Sequence, residues 1–77
     1  MKKSVFLDGL KKVFDIEDEE VKELTNIKEL EAYDSLTMIS LMAFIYQNFK
    51  KRVTAKEIYA VTTVESLIDL IGNENFE

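Results

Sequence analysis

Of the side chains able to do chemistry in this sequence, the Ser35 hydroxyl holds the most informative position. It follows Asp34 and precedes Leu36, at the head of a run that carries no charge through residue 49. Aspartate is a strong helix N-cap, because its carboxylate accepts the unpaired amide hydrogens of the first turn. Asp34-Ser35-Leu36 therefore predicts a helix start. The free N–H groups and positive dipole end of a helix favour a nearby phosphate. A serine hydroxyl placed there is suited to carry a phosphodiester. The same tripeptide is equally an ordinary helix start, and by itself it does not separate the two uses.

Other routes to chemistry are poorly served. The 77 residues include no cysteine and no histidine. The first absence removes thiolate nucleophiles, thiolate metal ligands and disulfides. The second removes the commonest general base and the commonest zinc ligand. Triad hydrolases, zinc fingers and histidine-based metalloenzymes are excluded. The acidic run Asp15–Glu20 lacks the central glycine of a calcium loop, and no glycine-rich phosphate loop occurs. The lysines fall in patches that read as exposed. An enzyme with its own active site is not expected.

The net charge is -5 but unevenly spread. Residues 15–34 hold nine acids against two lysines, whereas Lys50, Lys51, Arg52 and Lys56 form a short basic patch. Phosphate backbones call for a continuous basic surface, so nucleic acid is not the expected partner. Acidity of this kind serves solubility and the steering of basic proteins. The uncharged stretch 35–49 is too short to cross a bilayer and is interrupted by Thr37, Ser40, Gln47 and Asn48. A soluble, cytoplasmic protein is expected.

The elements that must position Ser35 follow from apolar spacing. Phe6, Leu10, Val13 and Phe14 share one helical face. Residues 15–34 read as a long acidic connection in which Val21, Leu24, Ile27 and Leu30 recur every three residues. That spacing suits a loose helical turn or a loop pinned to the core. A second helix from Asp34 buries Met38, Leu41, Met42, Ile45 and Phe49. Its further apolar residues, Leu36, Ile39, Ala43 and Tyr46, form a second stripe, and Phe44 points elsewhere. A helix neutral all round is either central to its fold or covered by a partner. Thr54 with Glu57 and Thr62 with Glu65 match capping boxes and predict two more helices. Gly72 is placed to end the last one in the left-handed conformation, and residues 73–77 read as a frayed tail. The fold class is all-α: a small four-helix bundle with three main helices, a short third helix and a long loop between helices one and two, one domain over residues 1–77.

Taken together, these features resemble the acyl carrier proteins. Asp34-Ser35-Leu36 matches the family's D-S-L motif at the start of its second helix. Leu41, Ile45 and Phe49 fall where that helix is buried. Val61-Thr62-Thr63-Val64 is similar to the family's I-T-T-V run, and Leu67-Ile68-Asp69-Leu70-Ile71 to its closing helix. The likeness covers nearly the whole chain. It implies a 4'-phosphopantetheine arm on Ser35, flanked by Asp34 and Leu36. A separate phosphopantetheinyl transferase would attach the arm, and acyl-loading and acyl-transfer enzymes of fatty acid, polyketide or related biosynthesis would meet the carrier. Leu36, Ile39, Ser40 and Ala43 would form the docking face of a monomer. Met38, Met42 and the core aromatics either line an acyl pocket or fill the core, and core filling is the simpler reading.

The chain departs from the fatty-acid members at several positions. Tyr33 stands where they carry a small residue, and Thr37 and Ser40 replace acids along helix two. Such a face would bind by apolar burial and depend less on salt. Two other readings share the motifs: an aminoacyl or peptidyl carrier of the same fold, and a cofactor-free helical adaptor in which Ser35 only starts a helix.

Overall fold

The computed structural model describes residues 1–16 and 18–77; Glu17, part of the acidic run, lies outside the described residues. Among the described residues there are four α-helices: α1 (Lys3–Phe14), α2 (Ser35–Phe49), α3 (Ala55–Ala60) and α4 (Val64–Ile71). The all-α bundle expected from the apolar spacing is the fold observed. None of these helices is long and apolar enough to cross a membrane.

Each helix contributes its periodic face to one core. Phe6, Leu10 and Phe14 of α1, Met38, Leu41 and Ile45 of α2, Ile58 of α3 and Val64, Leu67, Ile68 and Ile71 of α4 are all buried. Removal of these side chains from water is the main force holding the bundle. Phe44 and Phe49 bring α2 onto α1, with ring centroids 5.8 and 6.0 Å from Phe6. The Phe44 ring lies over Gly9, where a Cβ would overlap it, so the absence of a side chain there sets how closely the ring seats on α1.

The long connection is pinned rather than free. Ile16, Val21 and Ile27 are buried along it, and Ile27–Glu29 form one 3-10 turn capped by Asn26. Leu24 departs from the expected apolar series: it is 78% exposed. The reason is backbone pairing. Ile27 N–H donates to the Thr62 carbonyl at 2.8 Å, Val64 N–H to Thr25 at 3.0 Å and Glu65 N–H to Glu23 at 2.8 Å. These bonds tie residues 23–27 to the start of α4, with a bridge between Asn26 and Thr63, while Thr25 N–H donates to the Lys22 carbonyl at 3.1 Å and closes a turn over Glu23 and Leu24. Leu24 stands on that turn, so it cannot share the buried side of Val21 and Ile27.

The same pairing corrects the expected start of the last helix. The cap is Thr63, and its box partner is Ser66, instead of Thr62 with Glu65. The expected box over Thr54 and Glu57 does form. Glu57 Oε1 accepts the Thr54 N–H at 2.9 Å, while the Thr54 hydroxyl oxygen accepts the Glu57 N–H at 3.1 Å. The Thr54 N–H foremost, and the Thr54 hydroxyl beside it, hold the Glu57 carboxyl below its ordinary value of 4.5.

Two expectations about the C-terminus are also corrected. Gly72 has positive φ, but at φ 111 and ψ 123 it lies outside the left-handed helical region. That conformation turns the chain back instead of letting it fray. Asn73–Asn75 form a 3-10 turn, and the Phe76 ring packs 5.1 Å from Phe6 and 5.2 Å from Phe49. The terminal ammonium of Met1 donates to the Asn75 carbonyl at 2.9 Å, and Glu77 N–H donates to Met1 at 3.0 Å. The tail is thus docked on α1 and α2.

Candidate functional site

The N-terminus of α2 is built by a reciprocal pair of side chains. Asp34 is the N-cap in extended conformation, and its Oδ1 accepts the Thr37 N–H at 2.8 Å. The Thr37 hydroxyl oxygen accepts the Asp34 N–H at 2.9 Å. The same hydroxyl donates to the Ala32 carbonyl at 2.8 Å, tying the last loop residues to the first turn. Thr37 was legible only as a residue standing in for an acid. Its capping role went unread because the box pattern ends in Glu or Gln, whereas here threonine closes it.

Ser35 sits inside this frame as the first helical residue, with an exposed side chain. Among the described residues, no hydrogen bond engages its hydroxyl. The Ser35 and Leu36 N–H groups also lack partners, since the first turn has no preceding helical carbonyls to use. An exposed hydroxyl, two free amide donors and the positive end of a helix of 15 residues therefore converge. The Asp34 carboxylate stands beside them, with its Oδ1 turned to the Thr37 amide. A phosphodiester on the Ser35 oxygen fits this arrangement, with solvent on the outer side and the helix dipole behind.

Leu36, Ile39, Ala43 and Tyr46 follow down α2 as one exposed stripe. Leu36 and Ile39 are 72% and 63% exposed. The helix is therefore not central to its fold: the neutral face stands in solvent. Its far end meets the basic patch, where Lys50 and Arg52 lie 5.7 and 5.3 Å from the Tyr46 ring centroid. Ser40 is turned away from that stripe, toward α1. With Ala43 it borders a groove of about 390 Å³ between α1 and α2. The structure thus gathers Ser35, Asp34 and Leu36 at one helix end, and divides the other three expected docking residues, Ile39, Ser40 and Ala43, between a stripe and a groove.

The chain matches the phosphopantetheine attachment site family over residues 4–71, which takes in α2, α3 and α4 whole and α1 from its second residue. It belongs to that family, whose members carry a 4'-phosphopantetheine prosthetic group, and it is a phosphopantetheine carrier protein. No curated protein and no solved structure gives a significant match.

Proposed function

We propose that this protein is an acyl carrier that holds acyl intermediates as thioesters on a 4'-phosphopantetheine arm attached to Ser35. The observation that carries the reading is the exposed, unengaged Ser35 hydroxyl at the capped N-terminus of α2, inside the matched region. The Ser35 oxygen attacks the phosphoanhydride of coenzyme A on a phosphopantetheinyl transferase. A new oxygen–phosphorus bond forms, the anhydride bond breaks, adenosine 3',5'-bisphosphate leaves, and the hydroxyl proton passes to a base of the transferase. Bound in this way, the arm supplies the thiol that a cysteine-free chain lacks.

The remaining residues position and present that arm. Asp34 and Thr37 keep the first turn closed, which leaves the Ser35 and Leu36 amides free to donate to the phosphate an attached arm would bring. The dipole interaction contributes about 0.3–1 kcal/mol at an exposed helix end. Leu36, Ile39 and Ala43 offer apolar contact to loading and transfer enzymes, with Ser40 at the margin. In this reading the protein is a cytoplasmic monomer, one domain over 1–77, that serves other enzymes as substrate and catalyses nothing itself. Fatty acid and polyketide assembly use carriers of this plan.

Intact mass after incubation with coenzyme A and a broad-specificity transferase tests the assignment. The parent gains one phosphopantetheinyl group and Ser35→Ala gains none. No gain in folded parent protein, with several transferases, overturns the reading and leaves an adaptor. A gain in Ser35→Ala moves the attachment to another residue.

A further inference from the structure

The exposed face of α2 changes character along its length. Ser35, Ile39 and Tyr46 stand at i, i+4 and i+11, within about 40° of one another around the helix. A surface laid on Ile39 and Tyr46 therefore also meets whatever Ser35 carries. No side chain of α2 is charged, so the middle of this face is neutral. Its far end is cationic. Lys50 Nζ and Arg52 Cζ lie 5.7 and 5.3 Å from the Tyr46 ring centroid, and both residues are exposed, as is Lys56 on α3. Among the described residues the ion pairs are Lys3 with Glu23 and Lys22 with Glu20, so no carboxylate is paired with these three cations. Glu57, the one acid between residues 50 and 62, turns its Oε1 to the Thr54 N–H. Lys51 differs from its neighbours: it is half-buried, and its Nζ donates to the Ile71 carbonyl at 3.3 Å. The near end of the face is acidic, with Glu31 and Asp34 exposed just ahead of Ser35.

We propose that the protein partner that receives the arm docks with an acidic cluster over Tyr46, Lys50 and Arg52 and a neutral, apolar patch over Leu36 and Ile39. The inference rests on Ser35 being the attachment site. Charge complementarity supports the choice of occupant. Contact with one ring holds the Lys50 and Arg52 charges together before a partner arrives. A carboxylate about 5 Å from an exposed cation, in water and with a Debye length of about 8 Å, gains about twofold in affinity. The middle of the face is neutral, so the salt-dependent part of docking is confined to this end. Orientation is set by the same charges. A partner turned end for end brings its carboxylates onto Glu31 and Asp34, where like charges repel. Tyr46 lies eleven residues beyond Ser35, or about 16 Å along the axis. The acidic cluster therefore stands about 16 Å from the point where the arm enters the partner. An anionic membrane suits this face less well, because the chain has a net charge of -5 and carries exposed acids at the Ser35 end.

The probes are amphipathic helical peptides that share one leucine stripe and end in a block of three glutamates, glutamines or lysines. Each is titrated into full-length protein bearing the arm, at about 0.15 M salt, and amide shifts are followed. The expected result is that the glutamate peptide binds about eightfold tighter than the glutamine peptide, twofold for each of Lys50, Arg52 and Lys56. Its shifts fall on Ile39, Tyr46 and Arg52, and the preference fades at about 1 M salt, where the Debye length is about 3 Å. Lys50→Gln with Arg52→Gln cuts the preference to about twofold, whereas Ile39→Ser weakens both peptides alike. All three positions are exposed, so the fold tolerates the changes. Equal binding of the peptides, or tighter binding of the lysine peptide, overturns the proposal. Shifts centred on Lys11 and Lys12 also overturn it, since they put the acid-binding end on α1. Binding to phosphatidylglycerol vesicles through Ile39 and Tyr46, with no glutamate preference, overturns it in favour of a membrane contact. Self-association of the parent that the double variant loses overturns it in favour of a second copy's acidic segment. A parent that gains no arm overturns the attachment site instead, and intact mass reads that failure before any peptide is added.

Discussion

Removing the Thr37 hydroxyl without changing the side chain's shape isolates what the reciprocal cap contributes. Thr37→Val keeps the β-branch and leaves the Thr37 N–H on Asp34 Oδ1. It abolishes the bond accepted from the Asp34 N–H at 2.9 Å and the one donated to the Ala32 carbonyl at 2.8 Å. A net hydrogen bond is worth about 0.5–1.5 kcal/mol. The Asp34 amide is exposed and regains water, which puts its loss near the low end. The Ala32 bond is half-buried and nearer the middle. The sum is about 1–1.5 kcal/mol, within the range for losing a cap. For a chain of this size that lowers Tm by about 5–10 °C. Circular dichroism melts of parent, Thr37→Val and Thr37→Ser measure it, and amide exchange reports whether the first turn of α2 loosens. Serine keeps the hydroxyl and so retains most of the stability. A valine variant melting within about 1 °C of the parent, a shift equal to about 0.2 kcal/mol, refutes the claim that this box holds the Ser35 turn.

Other perturbations separate the faces of the bundle. Leu41→Ala opens a cavity in the core and costs about 2–5 kcal/mol, whereas Ile39→Ala on the solvent stripe stays within about 0.5 kcal/mol; chemical denaturation compares them directly. Phe76→Ala removes the ring wedged between Phe6 and Phe49 and costs about 1–3 kcal/mol, and an unchanged urea midpoint would mean the tail is not docked. Glu57 titrates below 4.5 by carboxyl NMR, because its charged form accepts the Thr54 amide. Its folded value is depressed, so its contribution to stability is present above the unfolded carboxyl range and is lost as pH falls through the folded value. Glu57→Ala removes that part of the pH dependence, and a parent midpoint at or above 4.5 contradicts the assignment.

The helices and the Ser35 end were readable in the sequence because they depend on neighbours in the chain. A 3.6-residue period of Phe6, Leu10 and Phe14, an aspartate ahead of Ser35, and a threonine three residues before Glu57 each act within one or two turns. Local pattern alone therefore determined the helix count, the core face of α2 and the residue at its first position. Thr37 marks the limit of that reading. Its part in the cap needs the Ala32 carbonyl folded back from the preceding loop, which no local pattern records.

What remained was decided by contacts between distant segments. Leu24 and Ile27 look alike in the sequence, but pairing with Thr62, Val64 and Glu65 buries Ile27 against the start of α4 and leaves Leu24 on an exposed turn. The last cap falls on Thr63 because Thr62 gives its carbonyl to Ile27. Phe76 is a tail residue by sequence and a core neighbour by structure, since Gly72 turns the chain toward Phe6. Whether the second apolar stripe of α2 is covered was undecidable from its residues, because a helix neutral all round is either central to its fold or partnered. Packing against α1 and α3 filled the core face with Met38, Leu41 and Ile45, and left Leu36 and Ile39 exposed beside Ser35.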